Sequence, residues 1–143
     1  MIVIDANLLV AFLDDGHPVH PVAMGFFKSL SEADEKIAVA PQTVGEAFVV
    51  MTSRRYADAP ISATRYTALI NEFLENDAVS VISPGRTAID HALSAALKKK
   101  VASAQIFDLL LYGTMREHGI TKLATFNVKH FSGLDGIEVV PIP

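Results

Sequence analysis

The sequence predicts an α/β fold in which helices flank both faces of a central, mainly parallel sheet. Short apolar runs rich in β-branched residues alternate along the chain with longer segments of helical spacing. Such alternation favours right-handed crossovers between parallel strands. The chain has 143 residues, half of them apolar, and it shows no internal repeat and no linker. We therefore assign residues 1–143 to one domain with a substantial core.

Five runs are predicted to be strands and six longer segments to be helices. The predicted strands are Ile2–Ile4, Ile37–Ala40, Val79–Ile82, Leu123–Thr125 and Ile137–Val140. The predicted helices are Leu8–Leu13, Val22–Leu30, Val44–Tyr56, Arg65–Leu74, Ala88–Lys99 and Ile106–His118, with one further helical turn over 128–131. Ligands of parallel sheets bind outside the carboxyl ends of the strands. Polar residues that follow a strand are therefore the first candidates for a functional site.

Composition excludes several classes of protein. The chain has no cysteine, which rules out disulfides, thiolate metal sites and cysteine nucleophiles. No apolar run approaches the roughly 18 residues of a membrane span, and the first residues lack the pattern of a signal peptide. We expect a cytoplasmic protein with no membrane contact. The net charge of −4 argues against binding of nucleic acid by phosphate contacts alone, but an acidic metal site would be consistent with it.

Three carboxylates and one amide follow strands or begin helices. Asp5 comes directly after the first strand, and Glu46 lies shortly after the second. Asp108 lies in the first turns of a very apolar helix. Its negative charge either interacts favourably with the helix dipole there, or it faces a cleft as a functional group. Asn127 ends a late strand and is either a helix cap or a polar site residue. Oxygen ligands without cysteine suit Mg²⁺ or Mn²⁺, which can activate a water against a phosphodiester.

Two of these positions have a purely structural interpretation as well. Asp5 or Asn7 could simply cap the helix that begins at residue 8. The segment Thr43-Val44-Gly45-Glu46 matches a capping box, in which Glu46 needs no function. The hypothesis of a metal site therefore rests on the convergence of the four positions and on no single residue.

The motifs that contain these residues resemble the PIN-domain family, and within it the ribonuclease toxins of VapBC toxin–antitoxin modules. The resemblance covers the whole chain and rests on the segments Val3–Leu9, Val44–Phe48, Ile106–Leu111 and Leu123–Phe131. It implies a PIN-like fold, an endoribonuclease dependent on Mg²⁺ or Mn²⁺, a homodimer and inhibition by a VapB-type antitoxin.

The same resemblance implies roles for individual residues. Asp5, Glu46 and Asp108 match the acids that hold metal, while Asn7 and Thr125 match supporting polar positions. Asn127 matches a catalytic position where many members carry Asp. The neutral amide at Asn127 favours one firmly held ion over a tight pair of ions.

Two other functions remain open from the sequence. A haloacid-dehalogenase-type phosphatase also places Asp after its first strand, although it usually has a second Asp where this chain has Asn7. A catalytically silent module could use the same acidic crevice only to bind protein.

Several other polar residues carry weaker hypotheses. His17 and His20 are expected to be loop residues, His130 is a candidate substrate contact, and Asp90 is expected on a helix surface. The run Lys98-Lys99-Lys100 ends a helix, where it either faces solvent or contacts RNA phosphate. Arg54 and Arg55 have the same two interpretations. The sequence shows no platform of aromatic and basic residues for single-stranded RNA.

Overall fold

The computed structural model describes all residues from Met1 to Pro143 and has seven helices around a five-stranded sheet. The strands are β1 (Ile2–Ile4), β2 (Ile37–Val39), β3 (Val79–Val81), β4 (Lys122–Ala124) and β5 (Glu138–Val139). The helices are α1 (Ala6–Leu13), α2 (His20–Glu32), α3 (Pro41–Thr52), α4 (Ala63–Leu74), α5 (Arg86–Lys99), α6 (Gln105–Glu117) and α7 (Val128–Phe131). No helix is both long enough and apolar enough to span a membrane.

The sheet has the order β3-β2-β1-β4-β5, and every pair of neighbouring strands is parallel. β1 pairs with β2 on one side and with β4 on the other, so the connections after β1 run first to one side of the sheet and later to the other. The strand order therefore reverses next to β1, and the crevice between the carboxyl ends of β1 and β4 is the expected binding position. The predicted parallel α/β fold is confirmed.

Helices cover both faces of the sheet because side chains alternate along each strand. Ile2 and Ile4 of β1 point to one face, where they pack with α1, α2, α3 and α4. Val3 points to the other face and packs with residues of α5 and α6. The three residues of β1 are at most 1% exposed, as expected for a strand buried on both sides. Two hydrophobic cores thus fix β1 in the middle of the fold.

The structure corrects the predicted bounds of α3. The helix begins at Pro41, three residues before the predicted start, because proline is favoured in the first turn. It ends at Thr52 instead of Tyr56, and residues 53–62 form a connection to α4. Ala40 precedes the helix without a side-chain cap, so Thr43 lies inside the first turn. The capping-box interpretation of Glu46 is therefore wrong.

The helices α5 and α6 are in close backbone contact at Gly113. A Cβ atom at this position would lie 2.1 Å from the carbonyl oxygen of Ala88, which is backbone and cannot rotate away. Ala88 is itself fully buried. The pair sets the distance between the two helices on this face of the sheet.

Replacing Gly113 by Ala should therefore destabilise the fold although it adds helix propensity. We expect the unfolding free energy to fall by about 1–3 kcal/mol, the usual effect of overpacking a core. Gly25→Ala in α2 is the matched control, because nothing lies within 4 Å of the added Cβ. That change should raise stability by about 0.5–1 kcal/mol. Urea unfolding measures both variants, and a Gly113→Ala protein as stable as wild type would contradict this account.

Candidate active site

Asp5 lies at the carboxyl end of β1 and is the N-cap of α1. Its Oδ1 accepts a hydrogen bond of 2.7 Å from the backbone N–H of Ala6. Its Oδ2 accepts 2.6 Å from the hydroxyl of Thr125 and 3.1 Å from the side-chain amide of Asn7. The predicted capping role is therefore real, and the same carboxylate also joins the ends of β1 and β4.

Burial gives the Asp5 carboxyl group an unusual electrostatic state. The residue is only 6% exposed, and this desolvation raises its pKa above the usual value. The hydrogen bonds from Thr125 and Ala6 act in the opposite direction, while the nearby carboxylate of Asp108 raises the pKa further. Keeping a carboxylate ionised in this environment lowers the stability of the fold. A residue that served only as a helix cap would not need to be buried in this way.

Asn7 and Thr125, the supporting polar positions that the resemblance implies, both donate to this carboxylate. The Asn7 amide donates 3.0 Å to the Thr125 hydroxyl, and its Oδ1 accepts 3.1 Å from the backbone N–H of Phe126. Thr125 is 2% exposed and also accepts 3.0 Å from the N–H of Asn127. The network fixes the start of the connection that follows β4.

Glu46 projects from the second turn of α3 toward the same region. Its Oε1 accepts a 2.6 Å hydrogen bond from Gln42, one turn earlier on the helix, and Gln42 also donates to the carbonyl of Phe107. Partial burial raises the pKa of Glu46, the Gln42 hydrogen bond lowers it, and the charges of Asp5 and Asp108 raise it. Three acidic side chains therefore influence one another.

Asp108 lies in the first turn of α6 and pairs with a histidine from α7. Its Oδ2 is 2.8 Å from Nδ1 of His130. The α7 segment is held from behind by Lys99, whose Nζ donates 2.7 Å to the carbonyl of Ser132 and 3.4 Å to that of His130. This places His130 beside the acids, where the sequence had indicated only a possible substrate contact.

Asn127 is the N-cap residue of α7, but its side chain makes no capping hydrogen bond. The residue is exposed and lines the cleft together with the acids. Its amide is therefore free to contact a ligand. His17 also lines this cleft, and its Nδ1 accepts a hydrogen bond from the N–H of Val19. His20, expected in a loop, is instead the first residue of α2 and contacts the carbonyl oxygen of Ala11.

The four predicted site residues line one cleft with two lobes. The inner lobe, about 580 Å³, is lined by Asp5, Asn7, Glu46, Asp108 and Asn127 among others. The outer lobe, about 660 Å³, shares Glu46, Asp108 and Asn127 with it. No lysine or arginine lines either lobe. The basic side chains that line the cleft are therefore histidines, His130 beside Asp108 and His17 in the inner lobe.

This donor set fits a hard divalent cation in its chemistry, because all the candidate ligands are oxygens and three of them are carboxylates with no lysine or arginine in the cleft. The side chains do not form a closed cage, since no three His, Asp or Glu groups lie close enough together to hold a metal ion. Asp108 is turned to His130 and Glu46 to Gln42. Mg²⁺ keeps several bound waters, so a few carboxylates are sufficient for it.

The outer lobe also has an aromatic wall that the sequence did not reveal. Tyr56 and Phe107 line it and are about half exposed, at 56% and 50%. The guanidinium of Arg55 lies 5.4 Å from the centre of the Tyr56 ring. The sequence shows no platform of aromatic and basic residues for single-stranded RNA, and the contact between the neighbouring residues Arg55 and Tyr56 leaves this a prediction. Tyr56 and Phe107 lie far apart in the sequence and meet because the connection after α3 and the first turn of α6 border the same cleft.

A comparison with protein families decides the identity of the fold. The PIN domain family matches residues 2–136. The chain belongs to the PIN-domain family. PIN domains are typically dependent on metal ions, in agreement with the oxygen-rich cleft of this PIN domain. No curated protein sequence matches the chain significantly.

Solved structures of toxins share this PIN fold over their full length. VapC20 of Mycobacterium tuberculosis, described as a toxin that cleaves the sarcin–ricin loop, is 18% identical, with a TM-score of 0.71 over 99% of this chain and 100% of that one. A toxin–antitoxin complex from Klebsiella pneumoniae is 19% identical, with a TM-score of 0.65 over 100% and 98%. DNA-bound VapBC from Salmonella typhimurium is 15% identical, with a TM-score of 0.67 over 97% and 96%.

The hydrogen bond from Thr125 to Asp5 can be tested by removing the hydroxyl alone. Thr125→Val should lower the unfolding free energy by about 1–3 kcal/mol, because a buried carboxylate loses a donor. The pKa of Asp5 should rise further in this variant, so the loss of stability should grow as pH rises through that pKa. Thr125→Ser keeps the hydroxyl and should lose only about 1 kcal/mol for the missing methyl group. Equal pH profiles for the two variants would contradict the proposed bond.

Glu46 offers a test, in the absence of metal, of the cost of ionising a partly buried carboxyl group beside two other acids. Because its pKa in the folded protein is raised above 4.5, folding disfavours its ionised form. Wild-type stability is therefore reduced as pH rises from about 4.5 through the raised pKa. Glu46→Gln, which can keep the bond with Gln42, should be more stable at pH 7 by less than about 1 kcal/mol, given its partial exposure. The gain in stability should vanish at low pH, where Glu46 is protonated in wild type. A Glu46→Gln variant less stable than wild type in EDTA at pH 7 would contradict this account.

Proposed function

We propose that this PIN domain is a metal-dependent endoribonuclease that hydrolyses RNA phosphodiester bonds. The observation that carries the proposal is the meeting of Asp5, Glu46 and Asp108 in one cleft that contains no lysine or arginine. Such a cleft has strong negative potential and suits a divalent cation together with the phosphate that the cation attracts. The substrate class is RNA, whether tRNA, rRNA or mRNA.

Asp5, Glu46 and Asp108 are the groups that would hold Mg²⁺ or Mn²⁺. The bound ion would supply Lewis acidity at the phosphodiester and lower the pKa of an attacking water. Asp5 enters this role with its orientation already fixed by Ala6, Thr125 and Asn7. Asn127 lies at the cleft with a free amide, which is able to orient a water or a phosphate oxygen by hydrogen bonding.

We further propose that the chain is the toxin component of a type II toxin–antitoxin system and forms a homodimer. This is supported by the full-length likeness to solved VapC toxins and to toxin–antitoxin complexes. The partner would be a VapB-type antitoxin, and its binding would block access to the acids. Coexpression with the neighbouring gene product, followed by size-exclusion chromatography, tests both the complex and the dimer.

The phosphatase alternative receives no support from the geometry. In that chemistry a second acid follows two residues after the first, and here the position is Asn7. The Asn7 side chain forms hydrogen bonds with Asp5, Thr125 and the backbone N–H of Phe126, so it positions other residues of the site.

Removing single acids tests the proposed reaction directly. Asp5→Asn and Asp108→Asn should each reduce cleavage of a mixed tRNA and rRNA pool by at least about 100-fold, the scale of losing one group that stabilises the transition state. Asp90→Asn is the matched control, because Asp90 is an exposed acid paired with Arg86 on α5. Cleavage is followed on gels with Mg²⁺, with Mn²⁺ and with EDTA.

The controls separate the possible outcomes. Wild type and Asp90→Asn should give the same metal-dependent products, while EDTA abolishes them. Undiminished cleavage by folded Asp5→Asn or Asp108→Asn would show that the acids are not catalytic. Products that persist in EDTA would show that the reaction needs no metal.

A further inference from the structure

The cationic side chains of this acidic protein are unevenly distributed. Of the 12 lysines and arginines, four have a carboxylate within 4 Å, namely Lys28, Lys36, Arg86 and Lys122. The other eight have no such partner, and five of them lie at the end of α5, on α6 or on α7. These five are Lys98, Lys99, Lys100, Arg116 and Lys129. Unpaired cations gathered in one region of an acidic chain indicate attraction for an anionic ligand.

A separate cavity of about 240 Å³ lies among these cations, and we call it the basic pocket. Its polar lining consists mainly of His91, Lys98, Lys99, Tyr112, Arg116 and Asp135. The three cations outnumber the single carboxylate, and Asp135 forms no ion pair with them. The pocket is therefore large enough for a small polar group and carries an excess of positive charge.

Arg116 is held in place in the basic pocket by neutral groups. Its Nη1 donates 2.6 Å to the carbonyl oxygen of Asp135 and 3.4 Å to the hydroxyl of Tyr112. The Tyr112 hydroxyl donates 3.0 Å to the same carbonyl. A Cβ at Gly136 would lie 2.4 Å from Nη1, so the loop packs closely on the guanidinium. The other guanidinium nitrogens keep their donors, and this planar group matches a phosphate well.

The basic pocket is linked to the acidic cleft through a contact between Lys99 and His130. Lys99 lines the pocket and donates to the carbonyl oxygen of His130. The imidazole of the same His130 lines the cleft and contacts Asp108. One residue of α7 thus separates the two cavities. Lys129, exposed on α7, adds a positive charge beside this short path.

We propose that the basic pocket binds a backbone phosphate of the RNA strand whose scissile phosphate lies at the acids. This inference rests on the proposed nuclease function. It explains how a protein with an acidic cleft can hold a polyanion such as RNA. The cleft repels RNA unless cations are present, whereas Lys98 and Arg116 attract the strand a short distance away. The pocket would position RNA and take no part in bond cleavage.

Binding without catalysis isolates this contribution. The affinity of a fluorescein-labelled oligouridine is measured by anisotropy in EDTA for the double variant Lys98→Gln/Arg116→Gln. Its affinity should fall about tenfold at low salt, and the slope of log K against log[salt] should decrease in magnitude by about 1 to 1.5, as expected for two lost phosphate contacts. Lys28→Gln/Arg65→Gln makes the same change in net charge on α2 and α4 and should stay within about twofold of wild type. Thermal unfolding confirms that both variants are folded.

The outcomes distinguish this inference from the proposed function. If wild type cleaves RNA with Mn²⁺ and the pocket variant binds oligouridine as the control does, the inference is wrong and the nuclease stands. If wild type does not cleave, but only the pocket variant loses affinity, the pocket binds RNA and the nuclease proposal fails. Polyglutamate serves as a second probe. Loss of polyglutamate binding with unchanged oligouridine binding would overturn the inference in favour of an acidic protein segment.

Discussion

The buried carboxylate of Asp5 is the constraint on which the rest of the site depends. It stands at the end of the central strand, where both hydrophobic cores meet, and it is almost inaccessible to water. A charge in such a position is tolerated only when donors surround it. Here one donor comes from the start of α1, one from Asn7 and one from Thr125 after β4. Those donors tie together the two strand ends that form the crevice.

The distribution of charge gives the molecule an acidic cleft and a separate basic pocket. Acids converge where the strands end, and this costs stability because their mutual repulsion and desolvation raise the pKa values of Asp5 and Glu46. Unpaired cations gather instead behind α7. The separation keeps lysine and arginine from neutralising the acids within the protein itself. It thereby leaves the acids available to an external cation, which is the usual compromise between stability and function at an active site.

The sequence was sufficient for the fold and for the acids because both follow local rules. Apolar β-branched runs mark buried strands, and the carboxyl ends of parallel strands meet at one edge, so Asp5 and Glu46 could be placed near each other, whereas the resemblance to PIN domains pointed to Thr125. The start of α3 was missed because Pro41 begins it without a Ser, Thr, Asp or Asn cap. A Thr-x-x-Glu spacing then gave a misleading signal for Glu46.

Contacts between distant segments could not be predicted in this way. The pairing of Asp108 with His130 depends on how α7 is seated against α6, and Lys99 determines that seating from a third helix. The facing of Tyr56 and Phe107 depends on the path of residues 53–62 after α3 ends. Lys98 was recognisable as a charge at a helix end, but its proximity to Arg116 requires the packing of α5 on α6.

The link between Asp5 and Thr125 also has a consequence for synthesis of the protein. The two residues are 120 positions apart, so the first acid of the chain receives its hydroxyl donor from the last quarter of it. During translation, α1 and the early helices can collapse long before β4 leaves the ribosome, since their contacts are local. The acidic cleft cannot be complete at that stage. A nascent chain therefore holds Asp5 without its hydroxyl donor until β4 has emerged and paired with β1.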